Sequence, residues 1–214
     1  MMGGAGDINP AEPFERIAAK YDALVASPTG FPYEGYNEVL DQVVRRAEAN
    51  AGMTILDMGV GTGNLAQRLH TLGCKIWGID FSPAMLREAE PKLPGAVLLQ
   101  ADIAGEWPSA VQRRFDRVVS SYALHHFDLR AKRDLLQRVA GRFLEQDGRI
   151  VVADISFPTV IARQEARERV GASWDDDEHY WAVDETTDAL AEVGLRVDYS
   201  QVSAYSGVFS IERT

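Results

Sequence analysis

The sequence predicts an α/β protein built on a doubly wound, mainly parallel sheet of seven strands with an antiparallel hairpin at its C-terminal end. Three observations carry this prediction. Short apolar runs alternate with helical patterns from residue 53 to residue 153. The residues closing those runs are repeatedly acidic. The first run leads directly into a turn with three glycines, Gly59, Gly61 and Gly63.

The elements follow in order. Glu12–Ala26 and Tyr36–Asn50 have helical spacing and are split by the breaker-rich Ser27–Pro32. Met53–Met58 is a buried strand, and Asn64–Thr71 is a helix with Leu65 and Leu69 on one face. Cys74–Ile79 is the second strand. Ser82 then supplies an N-cap and Pro83 a first helical position, opening a helix to Lys92. Ala96–Gln100 and Phe115–Ser120 are the third and fourth strands. The amphipathic Leu129–Leu144 stops near Asp147-Gly148, and Arg149–Ala153 is the fifth strand. Val160–Val170 and Asp184–Val193 read as helices, the second ended by Gly194. Leu195–Val202 and Val208–Arg213 are close enough in sequence to pair as the hairpin. Right-handed crossovers place helices on both faces of such a sheet.

Composition narrows the function. The 214 residues, with 46% hydrophobic and 25% charged side chains, suit one generous soluble domain. A net charge of −10 and a pI near 4.9 argue against a polyanionic partner, because DNA or RNA binding calls for a basic face. The single cysteine, Cys74, excludes an intrachain disulfide and points to the cytoplasm. Met1–Pro10 lacks the pattern of a signal peptide and reads as a frayed tail, and no run approaches a membrane span.

Asp57, Asp80, Asp102, Ser120 and Asp154 lie at or near the carboxyl ends of the five predicted parallel strands. In an open α/β sheet those ends share one rim, where ligands bind. Several carboxylates gathered there are costly to desolvate unless a ligand with hydroxyl, amino or cationic groups satisfies them. The bland reading of each is a helix or turn cap; it explains single residues better than the ordered set.

The turn Asp57-Met58-Gly59-Val60-Gly61-Thr62-Gly63-Asn64 closes a strand and opens a helix. Its glycines let main chain approach a ligand without an intervening side chain. Two cofactor classes use such a turn. Gly61–Ala66 even fits the dinucleotide pattern G-x-G-x-x-[GA]. Three features favour S-adenosylmethionine: Asp57 two residues before the first glycine, Asp102-Ile103 suited to an adenine amino group and ring, and the terminal hairpin.

Residues 53–155 resemble the class I S-adenosylmethionine-dependent methyltransferases. ILDMGVGTGN resembles their glycine-rich motif, WGIDFSPAML the acidic second-strand motif and LLQADI the adenine motif. FDRVVSSYALHHF resembles the fourth strand with its loop, and GRIVVADI the fifth strand. GTGNL, SPAM and VSSYALHHF together are similar to the YrrT-type group of small bacterial methyltransferases.

The resemblance implies a Rossmann-like methyltransferase fold, one domain over residues 1–214. Residues 1–50 would be a helical cap, 51–155 the cofactor-binding core, and 156–214 a substrate-side segment with the hairpin. It implies S-adenosylmethionine as cofactor, S-adenosylhomocysteine as product, and a small-molecule acceptor attacking through N, O or S. Gly59, Gly61 and Gly63 would bring main chain against the methionine and ribose parts, with Asn64 in the same motif. Asp80 would accept both ribose hydroxyls. Asp102 and Ile103 would read the adenine edge, with Phe81 beside the ring. Asp57 would hold the turn or reach the amino group, Ser120 and Ser121 would face the methionine part, and Tyr21 would close over the cofactor.

On the acceptor side, His125 is the candidate base, with an imidazole that is largely neutral at pH 7. His126 reads as loop packing. Two adjacent histidines without further ligands at suitable spacing predict no metal. Trp174–Trp181 is acidic and aromatic; Trp174 and Trp181, with Tyr33 and Tyr36, are candidate substrate contacts. Two rivals stay open: a non-catalytic module binding the same cofactor, and an NAD(P)-dependent oxidoreductase. The expected assembly is a monomer or homodimer, without nucleic acid or membrane.

Overall fold

The computed structural model describes residues 12–26 and 30–214. The predicted tail Met1–Pro10, and Ser27–Thr29 of the breaker segment, lie outside the described residues.

Seven of the strands form one path in the order β3-β2-β1-β4-β5-β8-β7. They are β1 (Thr54–Met58), β2 (Lys75–Asp80), β3 (Val97–Gln100), β4 (Phe115–Ser121), β5 (Leu144–Phe157), β7 (Leu195–Gln201) and β8 (Ser206–Arg213). The first five run parallel; β8 is antiparallel to β5, and β7 to β8. The predicted hairpin is therefore present. An eighth strand joins them, the two-residue β6 (Trp181–Ala182), which pairs with the end of β5. Sequence periodicity has no signal for so short a strand.

Burial on both faces follows from strand alternation. Ile55, Val119, Val151 and Ala153 face one apolar cluster; Leu56, Val118, Ile150 and Val152 face the other. The first cluster is closed by α2 (Tyr36–Ala47), α3 (Asn64–Thr71) and α6 (Val160–Val170), the second by α5 (Leu129–Arg142) and α7 (Val183–Ala191). The two helices described within residues 1–50 thus do not act together as a cap. Val39, Leu40, Val43 and Ala47 of α2 are fully buried against the sheet, so α2 belongs to the core.

The helix α1 (Glu12–Val25) has the capping position. It packs on α4 (Pro83–Ala89), where the Glu15 carboxylate accepts hydrogen bonds from Ser82 Oγ at 2.8 Å and Ala84 N at 3.1 Å. Ser82 itself caps α4 by accepting from Met85 N, as Ser-Pro predicts. The predicted helix to Lys92 ends at Ala89 and tightens into a 3-10 turn over Glu90–Lys92, where Pro91 cannot donate.

The largest departure is β5. Asp147-Gly148 does not stop a helix; α5 ends at Arg142, and β5 spans fourteen residues with a register shift opposite Phe115/Arg117. It also continues past Ala153, because Asp154 and Ile155 still pair with Gly207 and Ser206 of β8. Among the described residues, no helix is long and apolar enough to cross a membrane.

Candidate active site

The carboxyl ends of β1 and β4, neighbours in the sheet, diverge into loops that go opposite ways, and this is the crevice where open α/β sheets bind ligands. A cleft of about 420 Å³ opens there. Its floor is the glycine turn, and its walls come from α1, from the end of β2 and from the loops after β3 and β4.

Two glycines of the turn are needed for different reasons. Gly59 has φ +73, and a Cβ there would lie 2.5 Å from the Ala123 Cβ. Gly61 has φ +53, and a Cβ there would meet no atom within 4 Å. Gly61 lines the cleft, so the missing side chain is open ligand space. Gly63 also has positive φ, but it packs against Ala89 and Leu93 and stays out of the lining.

Asp80, at the end of β2, lines the cleft. Its Oδ2 accepts from Gly61 N at 2.8 Å and its Oδ1 from Ser82 N at 2.9 Å. Burial lifts its carboxyl above the ordinary range, against the pull of these N–H donors. Each oxygen keeps a further acceptor site. Asp102 Oδ1 accepts from Ala104 N at 2.9 Å, which turns the loop so that Asp102 and Ile103 both reach the lining. Phe81 lines the same region, with Phe14 of α1 edge-on to it at 5.1 Å between ring centres. Phe14 was not singled out in the sequence, since it belongs to the site through the docking of α1.

Asp57 is 1% exposed in β1, and neither carboxylate oxygen has a hydrogen-bond partner. It does not hold the turn and is not in the cleft lining. Burial, and secondly the charge of Asp80, push its carboxyl up to about 8, so it is mostly neutral at pH 7. Ser120 is buried and donates to Met58 O at 2.7 Å; Ser121 faces the cleft in its place. Alternation along β4 allows one of the two serines, not both.

Tyr21, Tyr36 and Tyr122 complete the aromatic wall. Tyr36 stacks on Tyr122 at 5.3 Å and its hydroxyl accepts from Asn64 Nδ2 at 3.3 Å. Asn64 lines the cleft as expected. Tyr122 has φ +51, a costly conformation for a bulky residue. Its Ala153-bonded N–H and Ser206-bonded hydroxyl hold it there. Tyr33 stands behind the wall, edge-on to Tyr21, Tyr36 and Tyr122.

The acidic aromatic segment is anchored rather than open. Trp174 stacks on Phe31 at 5.6 Å and borders a separate depression beside α6. Trp181 is 1% exposed and donates its Nε1 to Asp154 Oδ2 at 3.1 Å. It is a core side chain, because the buried Asp154 carboxylate requires donors.

His125 and His126 exchange their expected places. His125 Nδ1 lies 2.6 Å from Asp154 Oδ1, and its side chain is 11% exposed behind the cleft wall. Burial opposes a charge on this imidazole, but Asp154 outweighs it and the net direction is up. For Asp154, burial is likewise outweighed by His125 and Lys132, leaving its carboxyl below the ordinary range. His126 is in the cleft lining, edge-on to Phe14 at 5.5 Å. Glu178, from the acidic stretch between Trp174 and Trp181, sits against both histidines. Local sequence carries no signal for that approach.

Comparison with known proteins is consistent with this geometry. Residues 55–148 match the model of a methyltransferase domain family. The chain is 32% identical over 200 residues to the uncharacterized methyltransferase YrrT of Bacillus subtilis (strain 168), covering 88% of this chain and 90% of that one. Among solved structures, the DhpI–SAM–HEP complex superposes with a TM-score of 0.74 at 18% identity, covering 99% of this chain and 100% of that one. The magnesium protoporphyrin IX methyltransferase ChlM of Synechocystis PCC 6803, with bound SAH, gives 0.64 at 18% identity, covering 99% and 90%.

Proposed function

The chain belongs to the methyltransferase family that includes YrrT of Bacillus subtilis, and from that premise we propose that it transfers a methyl group from S-adenosylmethionine to a small-molecule N, O or S acceptor. The observation that carries the cofactor assignment is the pairing of Asp80 and Asp102 with the open face of Gly61 in one aromatic-walled cleft.

The residues fit that cofactor. Asp80 has acceptor sites left for two ribose hydroxyls after its main-chain bonds, and Asp102 has an oxygen left for an adenine amino group. Phe14 and Phe81 offer apolar faces to the base, and Gly59 and Gly61 offer bare main chain. When bound, S-adenosylmethionine supplies an activated methyl on a sulfonium sulfur. The chain then has to align the acceptor and exclude water. Tyr21 and Phe14 on α1 close the cleft, while Tyr36, Tyr122 and His126 shape the remaining wall. Such positioning is worth roughly 7–11 kcal/mol. His125 supports this wall from behind through Asp154, so the imidazole that meets the cleft is that of His126.

Two measurements test the reading. Calorimetry with S-adenosylmethionine and with NAD should show binding of the first and none of the second. A screen with methyl-labelled cofactor against small amines, thiols, phenols and acids should show label transfer. Binding of NAD in preference, or cofactor binding with no transfer to any acceptor class, contradicts the proposal.

A further inference from the structure

We propose that His125, His126 and Glu178 form a binding site for one divalent transition cation of the zinc class, set in the wall of the cleft. One ligand atom from each of the three lies within 4.8 Å of the others. Glu178 Oε2 is 3.0 Å from His126 Nδ1 and 3.7 Å from His125 Nε2. A four-coordinate ion with ligands at about 2.0–2.2 Å sets neighbouring ligand atoms about 3.3–3.6 Å apart. The two observed distances bracket that range.

The contacts around the three residues point the same way. His125 Nδ1 is held by Asp154 at 2.6 Å, which leaves the Nε2 lone pair directed away from that carboxylate. A carboxylate behind a histidine is the usual support of a metal-bound imidazole. Asp154 is itself fixed by Leu124 N and Trp181 Nε1, both at 3.1 Å. Glu178 is fixed through its neighbour: His179 N donates to His125 O at 2.7 Å, and the buried Lys132 ammonium donates to His179 O. Backbone and side-chain hydrogen bonds thus hold the three residues in place.

Glu178 Oε2 is shut off from solvent. Of the two imidazoles, His126 Nδ1 lies nearer to it, at 3.0 Å, and His125 Nε2 follows at 3.7 Å. Taking a carboxylate oxygen out of water is costly unless positive charge compensates it. A cation shared between that oxygen and two imidazole lone pairs removes the cost. Two imidazoles and one carboxylate, with a position left open, are a donor set that zinc accepts. Any proton on His125 Nε2 or His126 Nδ1 leaves to solvent when the ion binds, while His125 keeps its Nδ1–H and donates it to Asp154.

The assignment does not depend on methyl transfer, and its test reads metal binding alone. The tag-free full chain, stripped with a chelator, is titrated with Zn²⁺ by calorimetry. One equivalent should bind. Glu178→Gln and His126→Gln should each weaken binding at least about tenfold, and Asp154→Asn by about 10–100-fold. His70→Gln, on α3, should leave it unchanged. His126 and Glu178 have side chains 34% and 19% exposed, so those variants should fold, with circular dichroism as the check. Co²⁺ added to the unmutated chain gives a second readout: the intense visible band of a four- or five-coordinate nitrogen-ligated ion. Absence of a bound equivalent overturns the proposal. So does Zn²⁺ held equally by the folded Glu178→Gln and His126→Gln chains, or a cobalt spectrum like that of the aquo ion.

Discussion

The Asp22 carboxylate accepts the hydroxyl hydrogen bond of Thr62 at 2.7 Å, tying α1 to the glycine turn. The same carboxylate accepts from Asn64 Nδ2 at 3.0 Å and from Lys92 Nζ at 2.5 Å. One side chain on the capping helix thus touches the turn, the start of α3 and the end of the α4 segment. The capping position of α1 follows from this lock and from Glu15 on Ser82.

Thr62→Val keeps the volume and removes the hydroxyl. It should cost about 0.5–1.5 kcal/mol of α1 docking. S-adenosylmethionine affinity should fall several-fold, and α1 should become the first site of limited proteolysis, with the thermal midpoint of the sheet little changed. Asp22→Ala removes all three contacts and should do more of the same. Wild-type protease resistance in both variants would dismiss the lock.

Gly59→Ala and Gly61→Ala should separate stability from binding. At Gly59, left-handed strain adds to a 2.5 Å clash with Ala123, for a loss of about 2–4 kcal/mol in urea unfolding. At Gly61 nothing obstructs the methyl, so about 1–2 kcal/mol of backbone strain remains. That methyl enters the cleft, so cofactor affinity should fall more than stability does. Equal effects of the two substitutions on affinity and stability would show that Gly61 is not at the ligand surface.

Asp80→Ala should weaken S-adenosylmethionine binding by roughly 2–4 kcal/mol, since hydrogen bonds to a charged acceptor contribute about 1.5–3 kcal/mol each. It should also lower the unfolding midpoint, because Gly61 N and Ser82 N lose their acceptor. Calorimetry on the folded variant decides: wild-type affinity removes Asp80 from the site.

Asp57 gives the ligand-free protein a pH dependence with a definite sign. Its carboxyl titrates at about 8 when folded, and at about 3.9 in an unfolded chain. Between those values the folded state holds a proton that the unfolded state has released. Stability therefore falls as pH rises through this window, by up to about 1.4 kcal/mol per pH unit. Asp57→Asn should flatten the decline in urea midpoint between pH 5 and pH 8. Asp80, also raised by burial, leaves a residual slope. Parallel midpoint curves for the two proteins would mean that Asp57 ionises freely in the fold.

Much of this site is written in short stretches of chain. The strand and helix periods, the Ser82-Pro83 cap, the positive-φ glycines and the acids at strand ends are each set by neighbouring residues, so the sequence specifies them alone. So is the hairpin, whose partners are close in the chain. Four features were decided by packing between distant segments. Phe14 meets Phe81 because α1 docks on α4. Ser121 rather than Ser120 faces the cleft because the phase of β4 is fixed by its neighbours in the sheet. Trp181 is buried because Asp154, 27 residues earlier, needs its N–H. Glu178 reaches His125 and His126 because His179 pairs with the β4 loop and Lys132 with His179. Hydrophobic periodicity records which residues of an element face a core. It holds no record of which side chain from another element arrives opposite, since that depends on how sheet, loops and helices pack together.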